Sequence, residues 1–179
     1  QESRGYEQWA KIHNLKLAAK TMNFLTEHQI EQYADLVSRI EEITAENEKT
    51  ADALKSVEKR LADMAVLMKH VTTYQKTKNV YEAYRRAKDK DAYRAKQESS
   101  LILHEAAVKT LKAAGVTKLP NLAAMQEEYG KLQAQKEALY ADYGKLKKQV
   151  KEYDVIKQNI DNILRQGKEP ERKKGKERE

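Results

Sequence analysis

Apolar residues recur in alternating steps of four and three residues along the first half of the chain. Such spacing places one narrow stripe along an α-helix and is typical of a coiled-coil strand. Charged residues occupy most of the remaining helix surface, so the stripe requires a partner helix to cover it. The repeating positions are Leu36, Ile40, Ile43, Asn47, Thr50, Leu54, Val57, Leu61, Met64, Met68 and Val71.

A second stripe of the same kind lies near the carboxyl end and supplies that partner. The two striped helices have nearly equal lengths, and the segment between them is long enough to reverse the chain, which favours an antiparallel hairpin within one chain. Pairing of each stripe with another copy of the chain is the alternative, but it leaves the equal lengths unexplained. The second stripe comprises Leu122, Met125, Tyr129, Leu132, Lys136, Leu139, Tyr143, Leu146, Val150, Tyr153, Lys157, Ile160 and Leu164.

Polar residues and glycines modify the two stripes. Asn47 and Thr50 would cost stability in a coiled coil while fixing its register, although tolerated polar residues near a gap are an equally good interpretation. The sequence EYGKL at 128–132 recurs as DYGKL two heptads later. Its glycines, Gly130 and Gly144, could admit a close neighbouring helix, but duplication without function is the simpler explanation.

The pattern as a whole predicts an all-α fold, a long antiparallel coiled-coil hairpin with an N-terminal packing helix and a small helical tip. Threonines after Val71 lower the helix propensity, so we expect a break near residues 74–79. In the tip we expect a short helix to about Lys88, a third helix over about 91–114, and Gly115 as its C-cap. The predicted ranges are an N-terminal helix at 1–30, a coiled-coil helix at 31–76, the helical tip at 77–119, the return coiled-coil helix at 121–165 and a disordered basic tail at 166–179.

The N-terminal helix has a broad apolar face rather than a narrow stripe. We therefore expect it to pack against the end of the hairpin formed by Glu31 and Arg165. The apolar face consists of Tyr6, Trp9, Ile12, His13, Leu15, Leu17, Met22, Phe24 and Leu25.

Composition narrows the chemistry. With 35% charged residues and few aromatic residues, the chain suits solvated helices around a thin core. No run of about 18 apolar residues and no leader segment is present, so we expect an intracellular protein without membrane insertion. The absence of cysteine excludes disulfides and thiolate metal sites. The four histidines lack the spacing of a helical di-metal site, and we expect no metal, cofactor or small-molecule ligand.

The net charge of +7 is concentrated in residues 69–96 and in the tail. Basic groups neutralise phosphates and exposed tyrosines stack on unpaired bases, so this segment is the candidate nucleic-acid-binding region. Alternatively, the tyrosines fill the core of the tip and the cations only solvate it. The candidate residues are Lys69, Lys76, Lys78, Arg85, Arg86, Lys88, Lys90, Arg94 and Lys96, interleaved with Tyr74, Tyr81, Tyr84 and Tyr93.

Three stretches of the chain serve as family markers: GYEQWAKIHNLK at 5–16, TYQKTKNVYEAY at 73–84, and LHEAA at 103–107 followed by KLP at 118–120. Together they closely resemble the region that follows the catalytic domain in relaxases, the mobilisation nucleases of bacterial mobilisable and conjugative elements. The resemblance extends over most of residues 5–165. It implies a cytoplasmic, non-catalytic C-terminal accessory domain that helps to bind transfer-origin or exported DNA.

The same resemblance indicates what this chain lacks. Relaxases cut one DNA strand with a tyrosine and a metal held by a histidine cluster with a His-hydrophobe-His motif. That motif is absent from this sequence, and we expect no enzymatic activity from the chain. Two alternatives are a protein-docking module that contacts other mobilisation or secretion proteins, and a spacer or dimerising coiled coil.

Overall fold

The computed structural model describes the backbone of residues 2–176 and the side chains of residues 4–166. Those residues form five α-helices and no strand, so the expected all-α fold is confirmed. The chain divides into two compact units, unit 1 with Gln1–Ala51 and Ala141–Glu179, and unit 2 with Asp52–Tyr140. The helices are α1 (Glu2–Glu27), α2 (Tyr33–Arg86), α3 (Lys90–Lys96), α4 (Glu98–Ala113) and α5 (Leu122–Lys176).

In unit 1, the first part of α2 lies antiparallel to the last part of α5. The Tyr33 hydroxyl donates a hydrogen bond of 2.8 Å to the Asp161 carboxylate, while Asn47, further along α2, shares a groove with Lys147. The end of α1 completes this core, because Phe24 packs edge-on against Tyr153 with ring centroids 4.9 Å apart. The buried residues of the core are Phe24, Ile30, Leu36, Tyr153 and Ile156.

The turn between α1 and α2 uses a glutamine where glycine is usual. Gln29 has a φ of 55°, and its N–H bonds to the carbonyl of Thr26 while the N–H of Ile30 bonds to the carbonyl of Leu25. This pair of bonds is a Schellman motif, which closes the carboxyl end of a helix. The left-handed conformation costs a non-glycine residue about 1 kcal/mol, and burial of the Ile30 side chain offsets it.

In unit 2, the last part of α2 lies antiparallel to the first part of α5. Val57 and Leu61 pack against Leu132. The Glu58 carboxylate accepts a hydrogen bond of 2.9 Å from the Tyr140 hydroxyl, on the outside of the same helix pair. The expected pairing of the two striped helices is therefore confirmed within each unit.

Burial follows the predicted stripes closely. All eleven stripe positions of α2 are buried or half-buried. On α5 the same holds for every stripe position except Leu164, which is 52% exposed. Asn47 lies in the stripe with its side-chain oxygen buried and, among residues 4–166, without a hydrogen-bond partner. Thr50 bonds to the carbonyl of Glu46 on its own helix.

The expected break near residues 74–79 is wrong, because α2 continues without interruption to Arg86. The threonines bond within the helix, and the Thr77 hydroxyl donates to the carbonyl of Thr73 at 2.7 Å. In addition, Val71 packs with Leu111 of α4 and Met125 of α5. These tertiary contacts outweigh the low helix propensity of threonine.

The tip is more divided than expected, since the third helix is split into α3 and α4 at Gln97. Its end is as predicted, because Gly115 has a φ of 76° and forms a Schellman motif in which Val116 N–H bonds to Leu111. Asn121 caps α5, and its side chain accepts a hydrogen bond from the backbone N–H of Ala124.

Two other expectations differ from the structure. The backbone of α5 is helical to Lys176 and continues through Gly167 and Pro170, although both residues disfavour a helix interior. Residues 177–179 of the expected disordered tail lie outside the described part of the chain. The first half of α1 does not pack as expected, and Tyr6 and Trp9 are 71% and 59% exposed. The part of α1 that lines a groove with α5 begins at Lys11.

Gly130 and Gly144 do not mark a close helix contact. A Cβ atom built at either glycine would meet no other atom within 4 Å among the described residues. Both positions are exposed on α5, so the close neighbour that glycine could have admitted is not present there.

Candidate nucleic-acid interface

A column of aromatic rings joins α2 to α4 in unit 2. His104 of α4 is only 2% exposed and lies between two tyrosines of α2. Its ring centroid is 4.4 Å from that of Tyr81, nearly parallel to it, and 4.9 Å from that of Tyr74. The seven-residue spacing of the tyrosines brings both rings to one side of α2. The two rings are half-buried and held in place by the histidine between them.

The hydrogen bonds around His104 define its proton position. The Thr77 hydroxyl lies 2.7 Å from the carbonyl oxygen of Thr73, which can only accept. Thr77 therefore uses its single hydrogen there, and its oxygen accepts from Nδ1–H of His104 at 2.9 Å. Burial of the ring lowers the pKa of His104, while the neighbouring Glu105 carboxylate opposes this in part. The neutral ring with its proton on Nδ1 fits this site.

Tyr84 and Tyr93 are also half-buried and pack on other rings rather than projecting freely. Tyr84 lies 6.3 Å from Tyr81 and 6.4 Å from Tyr93, measured between ring centroids. Arg94 lies over the Tyr84 ring at 5.7 Å. The alternative interpretation, in which the tyrosines build the small core of the tip, thus describes Tyr84 and Tyr93 better than independent stacking sites do.

Among the side chains of residues 4–166, Arg94 is the one predicted cation that forms an ion pair. Its two terminal nitrogens donate to the two carboxylate oxygens of Glu105, at 2.9 and 3.0 Å. This bidentate pair lowers the pKa of Glu105 and raises that of Arg94. The pair holds α3 against α4, so Arg94 is positioned for packing more than for contact with a phosphate.

The structure does not bring the remaining predicted cations onto one surface. Lys69 and Lys76 lie on one side of α2, whereas Lys78 and Arg85 lie on the other, since nine residues equal two and a half helical turns. The other cations lie where α2 ends and α3 follows. All of these side chains except Arg94 are exposed, namely Lys69, Lys76, Lys78, Arg85, Arg86, Lys88, Lys90 and Lys96.

A groove between α2 and α4 collects a different set of cations. Lys78 and Arg85 line it from α2, and Lys109 and Lys112 line it from α4, together with the rings of Tyr74, Tyr81 and His104. Its volume is about 680 Å³. Sequence reasoning missed the two α4 lysines because they lie outside the basic segment. One sequence signal was available. Lys109 and Lys112 are three residues apart, and they follow His104 by five and eight residues on the same helix.

The electrostatics of the groove favour an anion. Four cations line it against two carboxylates, Glu82 and Glu105, and Glu105 is already paired with Arg94. Among the side chains of residues 4–166, no ion pair within 4.0 Å involves any of the four cations. A phosphate group could therefore bind there without displacing an existing ion pair.

Metal-binding and membrane-spanning features are both missing from the described part of the chain. No group of three or more histidine, aspartate or glutamate side chains there is arranged to hold a metal ion. None of the helices between residues 2 and 176 has a stretch long and apolar enough to cross a membrane.

Comparison with protein-family models, with curated proteins and with solved structures finds no significant match to this chain.

Proposed function

We propose that this chain is a non-catalytic DNA-binding accessory domain of the relaxase type, which acts in plasmid or transposon mobilisation. The family markers in α1, at the end of α2 and in α4 support the relaxase part of the proposal. The observation that carries DNA binding is the groove of unit 2, where four exposed cations from two helices line one concave surface. The partner would be transfer-origin DNA or the exported strand.

The charge arrangement supports this function in a specific way. Binding to a polyanion gains free energy from the counterions that each neutralised phosphate releases. A net charge of +7 gives weak binding at low salt wherever the cations lie. Cations gathered on one face engage neighbouring phosphates together, and the groove side of α2 offers that arrangement. Lys69 and Lys76, on the other side of α2, do not line the groove.

Two charge-removal variants test the proposal, and each deletes four positive charges. The groove variant replaces Lys78, Arg85, Lys109 and Lys112 with Gln. The control variant replaces Lys69, Lys76, Lys88 and Lys90 with Gln. All eight side chains are exposed, so both variants are expected to fold.

Fluorescence anisotropy with a labelled single strand, repeated over a range of salt concentrations, gives the readout. The groove variant is expected to lose most of the affinity. The slope of log K against log salt should also become less steep by about 2 to 3 units. The control variant should change that slope much less. Equal losses in both variants would leave only diffuse electrostatic binding and would contradict a DNA-facing groove.

Protein docking is a second candidate function, and a separate observation in unit 1 favours it. Four apolar side chains between residues 6 and 15 of α1 are more than half exposed, namely Tyr6, Trp9, Ile12 and Leu15. Exposed aromatic residues are enriched where proteins bind one another. The partners would be other mobilisation or secretion proteins. Because Trp9 is the only tryptophan, a blue shift of its fluorescence on mixing would report such docking.

A further inference from the structure

We propose that the groove between α2 and α4 binds one nucleotide unit, with the nucleobase against Tyr74 and Tyr81 and the phosphate on the surrounding cations. This inference rests on the proposed function, because it assigns to the DNA-binding surface a site for a single unpaired base. It goes further because it names the ligand of the groove, which is an unpaired base with an accessible face and an adjacent phosphate.

The size of the groove suits this ligand. Its volume of about 680 Å³ lies within the range of roughly 300 to 1,000 Å³ that is typical of small-molecule sites. A base inside a duplex is stacked on both faces and paired along one edge. Only an unpaired or extruded base can enter a concave site, so the groove should distinguish single strands from duplexes.

The aromatic lining is already ordered before a ligand arrives. Tyr81 is stacked on His104 at 4.4 Å, with 18° between the ring planes, and His104 is fixed by Thr77. Tyr74 is held by the same histidine from another direction. Rings that are already fixed lose little conformational entropy when a base stacks on them. Half-burial leaves part of each tyrosine ring available to the groove.

The charged lining complements a phosphate next to that base. Lys78 and Arg85 are two helical turns apart on α2, and Lys109 and Lys112 are about one turn apart on α4. Glu82 opposes them from α2, whereas the negative charge of Glu105 is met by Arg94. The groove thus combines aromatic surface with an excess of positive charge, which are the two components of single-strand binding sites.

The test uses the full chain and a labelled oligodeoxyadenylate of about 16 nucleotides, either alone or annealed to its complement. Tyr81→Leu removes the ring and keeps an apolar side chain. It is expected to weaken single-strand binding about tenfold and to leave duplex binding unchanged. Tyr140→Leu is the matched control, because Tyr140 belongs to unit 2 but does not line the groove, and it should change neither affinity.

Lys109→Gln combined with Lys112→Gln provides a second variant on the exposed surface of α4, in case Tyr81→Leu perturbs folding. It too should weaken binding of the single strand more than binding of the duplex.

Competition with dAMP shows whether the groove binds a free nucleotide or only a nucleotide within a strand. If dAMP displaces the labelled strand, the groove also binds a free nucleotide. If dAMP does not displace it, the groove binds a nucleotide only within a strand.

Two results would overturn the inference. One contradicts the nucleotide site alone, and the other also contradicts the proposed function. If the wild-type chain binds both DNAs while Tyr81→Leu and the double lysine variant retain the same preference for single strands, the nucleotide site is wrong and the proposed function stands. If the wild-type chain binds neither DNA at low salt, the proposed function fails and the nucleotide site fails with it.

Discussion

Thr77 of α2 accepts a hydrogen bond of 2.9 Å from His104 of α4, and both side chains are buried. Burial favours the neutral ring at this position, because it disfavours the imidazolium form and lowers the pKa of His104. The histidine also separates Tyr74 from Tyr81. Protonation of one side chain should therefore disturb the contact between two helices and the lining of the groove.

The first prediction concerns this histidine and pH. Since the pKa of His104 is lower in the folded chain than in the unfolded chain, the unfolded chain binds the proton more readily. The stability from neutral His104 is fully present above the unfolded pKa of about 6.5, and it is lost as pH falls from there through the lower pKa of the folded chain. Thermal melts should show Tm falling between pH 7.5 and 5.5, and less so for His104→Phe. His13→Gln, at an exposed position, should keep the wild-type dependence, and equal slopes for all three proteins would contradict this role.

A second prediction separates three glycines by their surroundings. Gly130 and Gly144 lie inside α5 with no atom close enough to clash with a Cβ, so replacement by Ala should stabilise the chain by about 0.5 to 1 kcal/mol at each position. Gly115 also has open space, but its φ of 76° disfavours any side chain. Gly115→Ala should therefore destabilise by about 1 kcal/mol. Urea unfolding of the three variants provides the measurement, and the same sign at all three positions would count against it.

The third prediction concerns the helix pair in unit 2. Leu54 is buried in the α2 stripe, and Leu54→Ala should cost about 2 to 4 kcal/mol if the site cannot collapse around the missing atoms. Leu164→Ala is the matched control, because that side chain belongs to the other predicted stripe but is more than half exposed. It should cost less than about 0.5 kcal/mol. If chemical denaturation shows similar decreases in the free energy of unfolding for both variants, the difference in exposure between the two leucines does not determine their contribution to stability.

Asn47 gives the fourth prediction. Its side-chain oxygen is buried without a hydrogen-bond partner among the described residues, and such a group costs about 1 to 3 kcal/mol. Asn47→Leu should therefore raise the stability by about 1 kcal/mol, whereas Asn79→Leu, at an exposed position of α2, should change it little. A destabilising effect of Asn47→Leu would contradict the prediction that the buried amide is an uncompensated cost.

The fifth prediction distinguishes two arginines that composition treats alike. Arg94 is held by Glu105 in a bidentate pair, whereas Arg85 lines the groove. Arg85→Gln should therefore reduce the affinity for single-stranded DNA more than Arg94→Gln does. Arg94→Gln should instead lower the melting temperature, because it releases Glu105. Binding isotherms and melts of the two variants can be compared directly, and a larger loss of affinity from Arg94→Gln would reverse the assignment.

Periodicity predicted the helix pairs well because burial in this fold is confined to narrow stripes. Leu36 and Tyr153, for example, occupy stripe positions and share one buried cluster. The cap at Gly115 was also predicted, because glycine is the usual residue at the carboxyl end of a helix. The left-handed turn at Gln29 was not, since glutamine carries no preference for that conformation and only the packing of Ile30 explains it.

The candidate site was harder to predict, because it depends on contacts between residues far apart in sequence. The pairing of Thr77 with His104 stabilises α2 where local propensity indicated a break. Counting charges along the chain grouped Lys76 with Lys78, although the two point away from each other around α2. It also left out Lys109, which reaches the groove only because α4 packs on α2.

Unit 2 is one uninterrupted stretch of chain, whereas unit 1 is assembled from two stretches separated by the whole of unit 2. During synthesis the segment Asp52–Tyr140 is complete before the last part of α5 has been made. Its helices can pair at once, but Tyr33 must wait for Asp161, 128 residues later. Closing so long a loop is slow for an unstructured chain, and folding of the inserted segment shortens the loop first. Translation should therefore produce unit 2 before unit 1, with the first part of α2 exposed in the interval.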